Sequence, residues 1–215
     1  MAMYGPLGRP DPEHQRLLRV TAAGLEEEFD GVFGRETIER FVHETYGEIA
    51  AHHRDAGTWP LLTERFARQR LQALARVEGR ADDGKPIVLF LCVHNTGRSQ
   101  MAMGFFGQLA GSKAVAWSAG SDPGDEVNPA AAAAMEEHGI DITREYPKPW
   151  TDEIVRAADV VVTMGCGDTC PVLPGKRYVD WPLDDPAGQG VAEVRPIRDE
   201  IERRVRALLD DLDIR

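Results

Sequence analysis

A chain of 215 residues with 36 acidic and 25 basic side chains carries a net charge of -11, which argues against nucleic acid or an anionic membrane as a general partner. No apolar run approaches membrane-spanning length, and the start Met1-Ala2-Met3-Tyr4-Gly5-Pro6 lacks the apolar core of a secretory signal, so a cytoplasmic protein is expected. Three cysteines are an odd number that does not suit a disulfide framework; in a reducing compartment they point to catalytic or redox use.

Residues 1 to about 13 are rich in Pro and Gly and read as a loose arm. Three helical patterns follow. The first covers 14–29; the second places Ile38, Phe41, Val42, Thr45, Tyr46, Ile49 and Ala50 on one face; the third begins near Thr58, with Pro60 in its first turn, and carries Leu62, Phe66, Ala73, Leu74 and Val77. Short Gly-containing breaks separate them, so residues 1–84 read as an arm and a small three-helix bundle, closed by the linker Gly79-Arg80-Ala81-Asp82-Asp83-Gly84-Lys85-Pro86. This part has no lysine or cysteine but four of the six histidines. His52 and His53 are adjacent and point in different directions on a helix, so they read as surface histidines, and no metal site is expected.

From residue 85 to 215 the pattern becomes strands alternating with helices. Strands are predicted at Ile87 to Leu91, Val115 to Ser118, Asp159 to Met164 and Arg177 to Val179; helices at Ser99 to Leu109, Pro129 to His138, Thr151 to Ala157 and Val191 to Leu212. The expected fold class is therefore α/β, a four-stranded parallel sheet with helices on both faces, preceded by a small α-helical bundle. Ligands of such sheets sit at the carboxyl ends of strands, beside a switch in strand order.

The run Val88-Leu89-Phe90-Leu91-Cys92-Val93-His94-Asn95-Thr96-Gly97-Arg98-Ser99 reads as a buried strand that delivers a cysteine into a short loop closed by an arginine and followed by a helix. Backbone N–H groups of a loop opening a helix point at a bound anion, and the Arg98 fork binds two oxygens of a tetrahedral oxyanion. The same positive field favours the thiolate of Cys92, the nucleophilic form. Val93, His94, Asn95, Thr96, Gly97 and Arg98 thus form the candidate substrate cradle. Ser99 is placed to cap the helix and to donate to the thiolate.

Two further strand ends carry chemistry. The loop Gly165-Cys166-Gly167-Asp168-Thr169-Cys170-Pro171 lacks zinc-ligand spacing. In a parallel sheet it leaves on the same edge as the Cys92 loop, within reach of a redox relay: Cys166 attacks sulfur-bound product on Cys92, and Cys170 then takes the disulfide outward. In Trp181-Pro182-Leu183-Asp184-Asp185-Pro186-Ala187-Gly188, a carboxylate held over the cysteine loop can protonate a departing oxygen, although an acidic turn before a helix needs no such role.

Residues 86–215 resemble the arsenate reductases built on the low-molecular-weight tyrosine phosphatase fold. The resemblance rests on Cys92 to Ala102, Trp117-Ser118-Ala119-Gly120, Val162-Thr163-Met164, the Cys166 and Cys170 loop, and Trp181 to Gly188. The helical part resembles an extension carried by some actinobacterial members. The resemblance implies that Cys92 attacks arsenate, Arg98 and the loop amides hold its oxygens, Ser99 stabilises the thiolate, Asn95 shapes the loop and Asp185 is the acid. It also implies that Cys166 and Cys170 pass a disulfide to thioredoxin, with no bound cofactor. Mycothiol with a mycoredoxin is an alternative reductant that needs only Cys92. Phosphotyrosine hydrolysis is weakened by Ala187 and Gly97, which stand where tyrosine phosphatases carry an aromatic residue and often a second cysteine. A position that binds potassium through an acidic side chain in some relatives is Met103 here, so no potassium site is expected. An oxyanion or redox sensor without turnover is the non-enzymatic alternative.

Overall fold

The computed structural model describes residues 10–81, 83–165 and 172–214. The chain divides into two compact units, Met1–Asp82 and Asp83–Arg215.

In the first unit, helix α1 (Pro12–Glu28) starts where extended Asp11 accepts a 2.8 Å bond from the His14 N–H and Pro12 takes the first helical position. Helix α1 therefore begins inside the expected arm of residues 1–13, of which 1–9 lie outside the described residues. Helix α2 (Arg35–His52) buries Ile38, Phe41, Val42, Thr45, Tyr46, Ile49 and Ala50, the face its periodicity implied. Helix α3 (Trp59–Val77) has Pro60 in its first turn, but its buried line runs through Phe66, Ala67, Arg70 and Leu71, while Leu62, Leu74 and Val77 are only half-buried. Arg70 explains the rotation. Its guanidinium lies 4.7 Å over the Phe41 ring and donates to Thr45 Oγ1 at 3.0 Å, so a charged residue occupies a core position that an apolar pattern skips. The three helices pack on one another around Leu18, Leu25, Ile38, Phe41, Val42 and Leu71.

His53 departs from the expected surface position and is buried. Helix α2 ends at His52, His53 turns inward in extended backbone, and its carbonyl accepts the Trp59 indole N–H at 2.8 Å. Among the described residues no three His, Cys, Asp or Glu side chains stand together as a metal-ligand set, and no helix is long and apolar enough to cross a membrane.

The second unit is built on strands β1 (Ile87–Cys92), β2 (Val115–Gly120), β3 (Val160–Thr163) and β4 (Arg177–Asp180), all parallel in the order β2-β1-β3-β4. Helices α4 (Arg98–Ala110), α5 (Pro129–Glu136), α6 (Asp152–Ala157) and α7 (Val191–Asp211) connect and cover them. Every residue of central β1 is buried, which explains its unbroken apolar run. Val88, Phe90 and Cys92 join the core formed with Met101, Phe105 and Phe106 of α4 and Val194, Ile201 and Val205 of α7, while α6 packs against β1 with Ile154 and Val155 buried. Each such side chain stabilises the fold by about 1.5–3 kcal/mol through burial.

Element ends differ from the sequence pattern for local reasons. Strand β2 runs on to Gly120 because Ala119 and Gly120 stand opposite Leu91 and Cys92. Strand β3 is shorter at both ends; the Asp159 side chain instead accepts the Ile87 N–H at 2.7 Å. Helix α5 stops at Glu136, two residues before His138, ahead of Gly139 at φ 71°. Beyond it, Glu137 clasps α7 by accepting from Arg195 and from Arg198 Nη1 at 2.7 Å. Chain order turns from β2 on one side of β1 to β3 on the other, so the loop after Cys92 opens at the switch point of the sheet.

Candidate active site

Cys92 closes β1 and the loop 93–97 wraps around its sulfur. Four successive loop carbonyls are held from outside: Val93 by Asp122 N–H, His94 by Gly124 N–H, Asn95 by the Gln100 side-chain amide at 3.0 Å, and Thr96 by Asn128 N–H. In a trans peptide the N–H points opposite to the C=O, so outward carbonyls turn the following N–H groups inward. One of them, Asn95 N–H, donates to Cys92 Sγ at 3.2 Å. The loop is thus an inward-facing nest of donors opening helix α4, the expected setting for an oxyanion.

Asn95 holds this shape from a left-handed backbone, φ 51°, which Asn tolerates better than most residues. Its Oδ1 accepts the Lys148 backbone N–H at 3.0 Å and a Gln100 N–H at 3.3 Å, which fixes the amide so that Nδ2 donates to Ser99 Oγ at 2.7 Å. The Ser99 oxygen that accepts from Asn95 lies 3.0 Å from Cys92 Sγ, where its hydroxyl can donate to a thiolate. Ser99 does not cap α4. Helix α4 begins at Arg98 with Gly97 in the cap position and no side-chain cap, because the hydroxyl is committed to the sulfur and to Asn95. Cys92, Asn95, Ser99 and Gln100 are all buried.

Arg98 is buried at the foot of the loop. Its Nη2 donates to Asp185 Oδ2 at 3.0 Å and its Nη1 to Leu183 O at 3.4 Å, which brings an exposed carboxylate from the loop after β4 to the mouth of the anion loop. Asp185 Oδ1 also accepts the Ala187 N–H at 3.0 Å, so the carboxylate sits in a tight turn. Pro186 is buried against the anion loop: a Cβ on Gly97 would lie 2.7 Å from Pro186 Cγ.

The predicted residues Cys92, Val93, His94, Asn95, Thr96, Gly97, Arg98, Ser99 and Asp185 therefore meet in one place. His94 is exposed, with Nδ1 3.0 Å from Asp122 O, and contributes its backbone. Cys166 and Cys170 lie outside the described residues. Gly165, just before them, has φ 72°, and a Cβ there would lie 2.9 Å from Arg98 Nη1, so the chain leaving β3 passes directly over the arginine.

Several contributors escaped the sequence reading. Gln100 cross-links Asn95 O, Asn95 Oδ1 and Tyr146 O, the last at 3.1 Å. Lys148 is buried, with its ammonium 4.6 Å from the Tyr146 ring centroid and its backbone on Asn95. Gly120 is needed because a Cβ there would lie 2.5 Å from Val93 O. Asn128, just ahead of the helix expected from Pro129, was not singled out; it caps α5 and bonds to both loops of the site.

Comparison with known proteins gives a consistent answer. Residues 87–215 match the model of the low molecular weight phosphotyrosine protein phosphatase family, and residues 18–75 that of the protein-tyrosine-phosphatase-like N-terminal domain. The chain is 41% identical over 125 residues to arsenate reductase 1 of Staphylococcus epidermidis, covering 56% of this chain and 93% of the relative. An arsenate reductase of Halalkalibacterium halodurans is 39% identical over 136 residues, covering 59% and 96%. Among solved structures, a thioredoxin-dependent arsenate reductase of Corynebacterium glutamicum superposes with a TM-score of 0.84 at 42% identity, covering 93% of this chain and 98% of the other.

Proposed function

The chain belongs to the low-molecular-weight phosphotyrosine protein phosphatase family, and from that premise we propose that it reduces arsenate to arsenite with thioredoxin as the external reductant. The observation that carries the reading is the sulfur of Cys92 at the centre of an inward-facing donor loop, with Ser99 on the sulfur and the Arg98–Asp185 pair at its mouth. Relatives named arsenate reductase, one of them named thioredoxin-dependent, support the choice of arsenate over a phosphate ester.

In the proposed sequence, the Cys92 thiolate attacks the arsenic of arsenate held by loop N–H groups and Arg98. An arsenate oxygen leaves as water, with its proton supplied by Asp185. Cys166 then attacks Cys92 Sγ. The S–As bond breaks, its electron pair stays on arsenic, and arsenite departs as As(III), leaving a Cys92–Cys166 disulfide that holds the two electrons' worth of oxidation. Cys170 attacks Cys166, returns Cys92 as a thiol and leaves a Cys166–Cys170 disulfide for the dithiol of thioredoxin to reduce.

The test is arsenate-dependent NADPH oxidation with thioredoxin and thioredoxin reductase, run beside mycothiol with a mycoredoxin. Turnover in the first system that falls to a single cycle in Cys170→Ser supports the relay; full turnover of that variant overturns it. Turnover only with mycothiol would instead assign the single-cysteine branch, and aryl phosphate hydrolysis that survives loss of both Cys166 and Cys170 would favour a phosphatase.

A further inference from the structure

Asn128 stands between the two loops of the site and bonds to both. Its backbone N–H donates to Thr96 O of the anion loop at 2.9 Å, its Oδ1 caps α5 by accepting from Ala130 and Ala131 N–H at 2.9 and 3.1 Å, and its Nδ2 donates to Pro186 O at 3.1 Å. One half-buried side chain therefore uses its acceptor for helix α5 and its donor for the turn that carries Asp185. The Pro186 ring is set on the same anion loop, where a Cβ on Gly97 would come within 2.7 Å of it.

We infer that Asn128 is a positioning residue that holds the Asp185 turn over the Cys92 loop. Within its own turn Asp185 is held by the Ala187 N–H on Oδ1 and by Gln189, whose side-chain amide donates to Asp185 O at 2.8 Å and whose backbone N–H reaches Pro186 O at 3.2 Å; across to the Cys92 side of the site its carboxylate bonds Arg98, which must also serve the oxyanion. The Asn128 amide restrains the adjacent peptide independently of Arg98, so the carboxylate keeps its place when the arginine turns to substrate. The fixed amide orientation supports this division of labour: two backbone N–H groups claim Oδ1, which leaves Nδ2 as the group facing Pro186 O. The inference rests on the reading of Asp185 as the acid in arsenate reduction.

The experiment uses Asn128→Ser and Asn128→Asp in the full chain. Both retain a side-chain oxygen able to cap α5 and the backbone N–H that holds Thr96; both lose the amide Nδ2 that reaches Pro186 O, since the shorter Ser hydroxyl sits at the cap, and Asp adds a repulsive carboxylate. The expected result is a kcat about tenfold lower for Ser and lower still for Asp, as a small misplacement of a reacting group produces. KM for arsenate, competitive inhibition by phosphate and the melting temperature should stay close to wild type. Asp185→Asn is made alone and combined with Asn128→Ser; if Asn128 acts through Asp185, the double variant is no slower than Asp185→Asn. A wild-type kcat in Asn128→Ser, a loss confined to KM or thermal stability, or a multiplicative loss in the double variant overturns the inference. If Asp185→Asn alone keeps wild-type turnover, the acid assignment itself fails and the positioning role falls with it, an outcome separate from a defect limited to Asn128.

Discussion

Gly120→Ala is the sharpest perturbation the geometry offers, because it adds one methyl group at the contact between β2 and the anion loop. The added Cβ would lie 2.5 Å from Val93 O, 3.0 Å from Asn95 Cβ and 3.1 Å from Asn95 N, all on the segment that encloses Cys92. Ordinary contact begins near 3.4 Å, so the Val93 carbonyl must retreat by roughly 0.9 Å. That carbonyl accepts from Asp122 N–H and belongs to the first peptide of the loop, so its retreat rotates the donors facing the sulfur. A shift of this size costs about 100-fold in rate when it misplaces reacting groups. Overpacking costs a further ~1–3 kcal/mol of stability. The assay is kcat/KM for arsenate, the inhibition constant of phosphate and thermal unfolding, with Gly107→Ala as control. Gly107 is on the exposed face of α4 with nothing within 4 Å of a built Cβ, so that variant should be neutral or stabilised by about 0.5–1 kcal/mol. Wild-type phosphate inhibition and kcat/KM in Gly120→Ala would refute the account of the loop.

Three other outcomes follow from the site and its supports. Ser99→Ala removes the hydroxyl that bridges Asn95 and Cys92; loss of a buried hydrogen bond at the sulfur, about 0.5–1.5 kcal/mol, should slow alkylation of Cys92 by iodoacetamide roughly 2- to 10-fold in a background lacking Cys166 and Cys170. Arg98→Lys keeps the charge but not the fork that reaches both Asp185 and Leu183 O; kcat/KM for arsenate should fall about 100-fold or more, and an unchanged value would remove the arginine from the oxyanion site. Hydrogen bonds from Arg195 and then Arg198 hold the Glu137 carboxyl well below its ordinary value of 4.5, at about 2. A lowered carboxylate stabilises the fold above pH 4.5 and loses that contribution as pH falls towards 2, so Glu137→Gln should be less stable than wild type in urea at pH 7 and equal to it near pH 2. A pH-independent difference would contradict that linkage.

Local pattern determined much of this protein. A period of 3.6 marked the buried face of α2, an unbroken apolar run marked β1 as a central strand, and the strand–cysteine–loop–arginine–helix order marked an anion site, because each is a short-range property of the backbone. The same logic failed where a side chain's partner is remote in sequence. Arg70 was skipped as a core residue because only the fold brings Phe41 and Thr45 to it; Ser99 was read as a partner of Cys92, which its 3.0 Å approach to the sulfur matches, but also as a cap, because nothing local reveals that Asn95 donates to the same oxygen. The tertiary structure alone decided that Arg98 meets Asp185 across 87 positions, that Gly120 must lack a side chain, and that Asn128 joins the Cys92 loop to the turn that carries Asp185. Those contacts arise from parallel strands ending on one edge of the sheet. The helices between them set the sequence distances, so the spacing records the crossovers rather than the contacts.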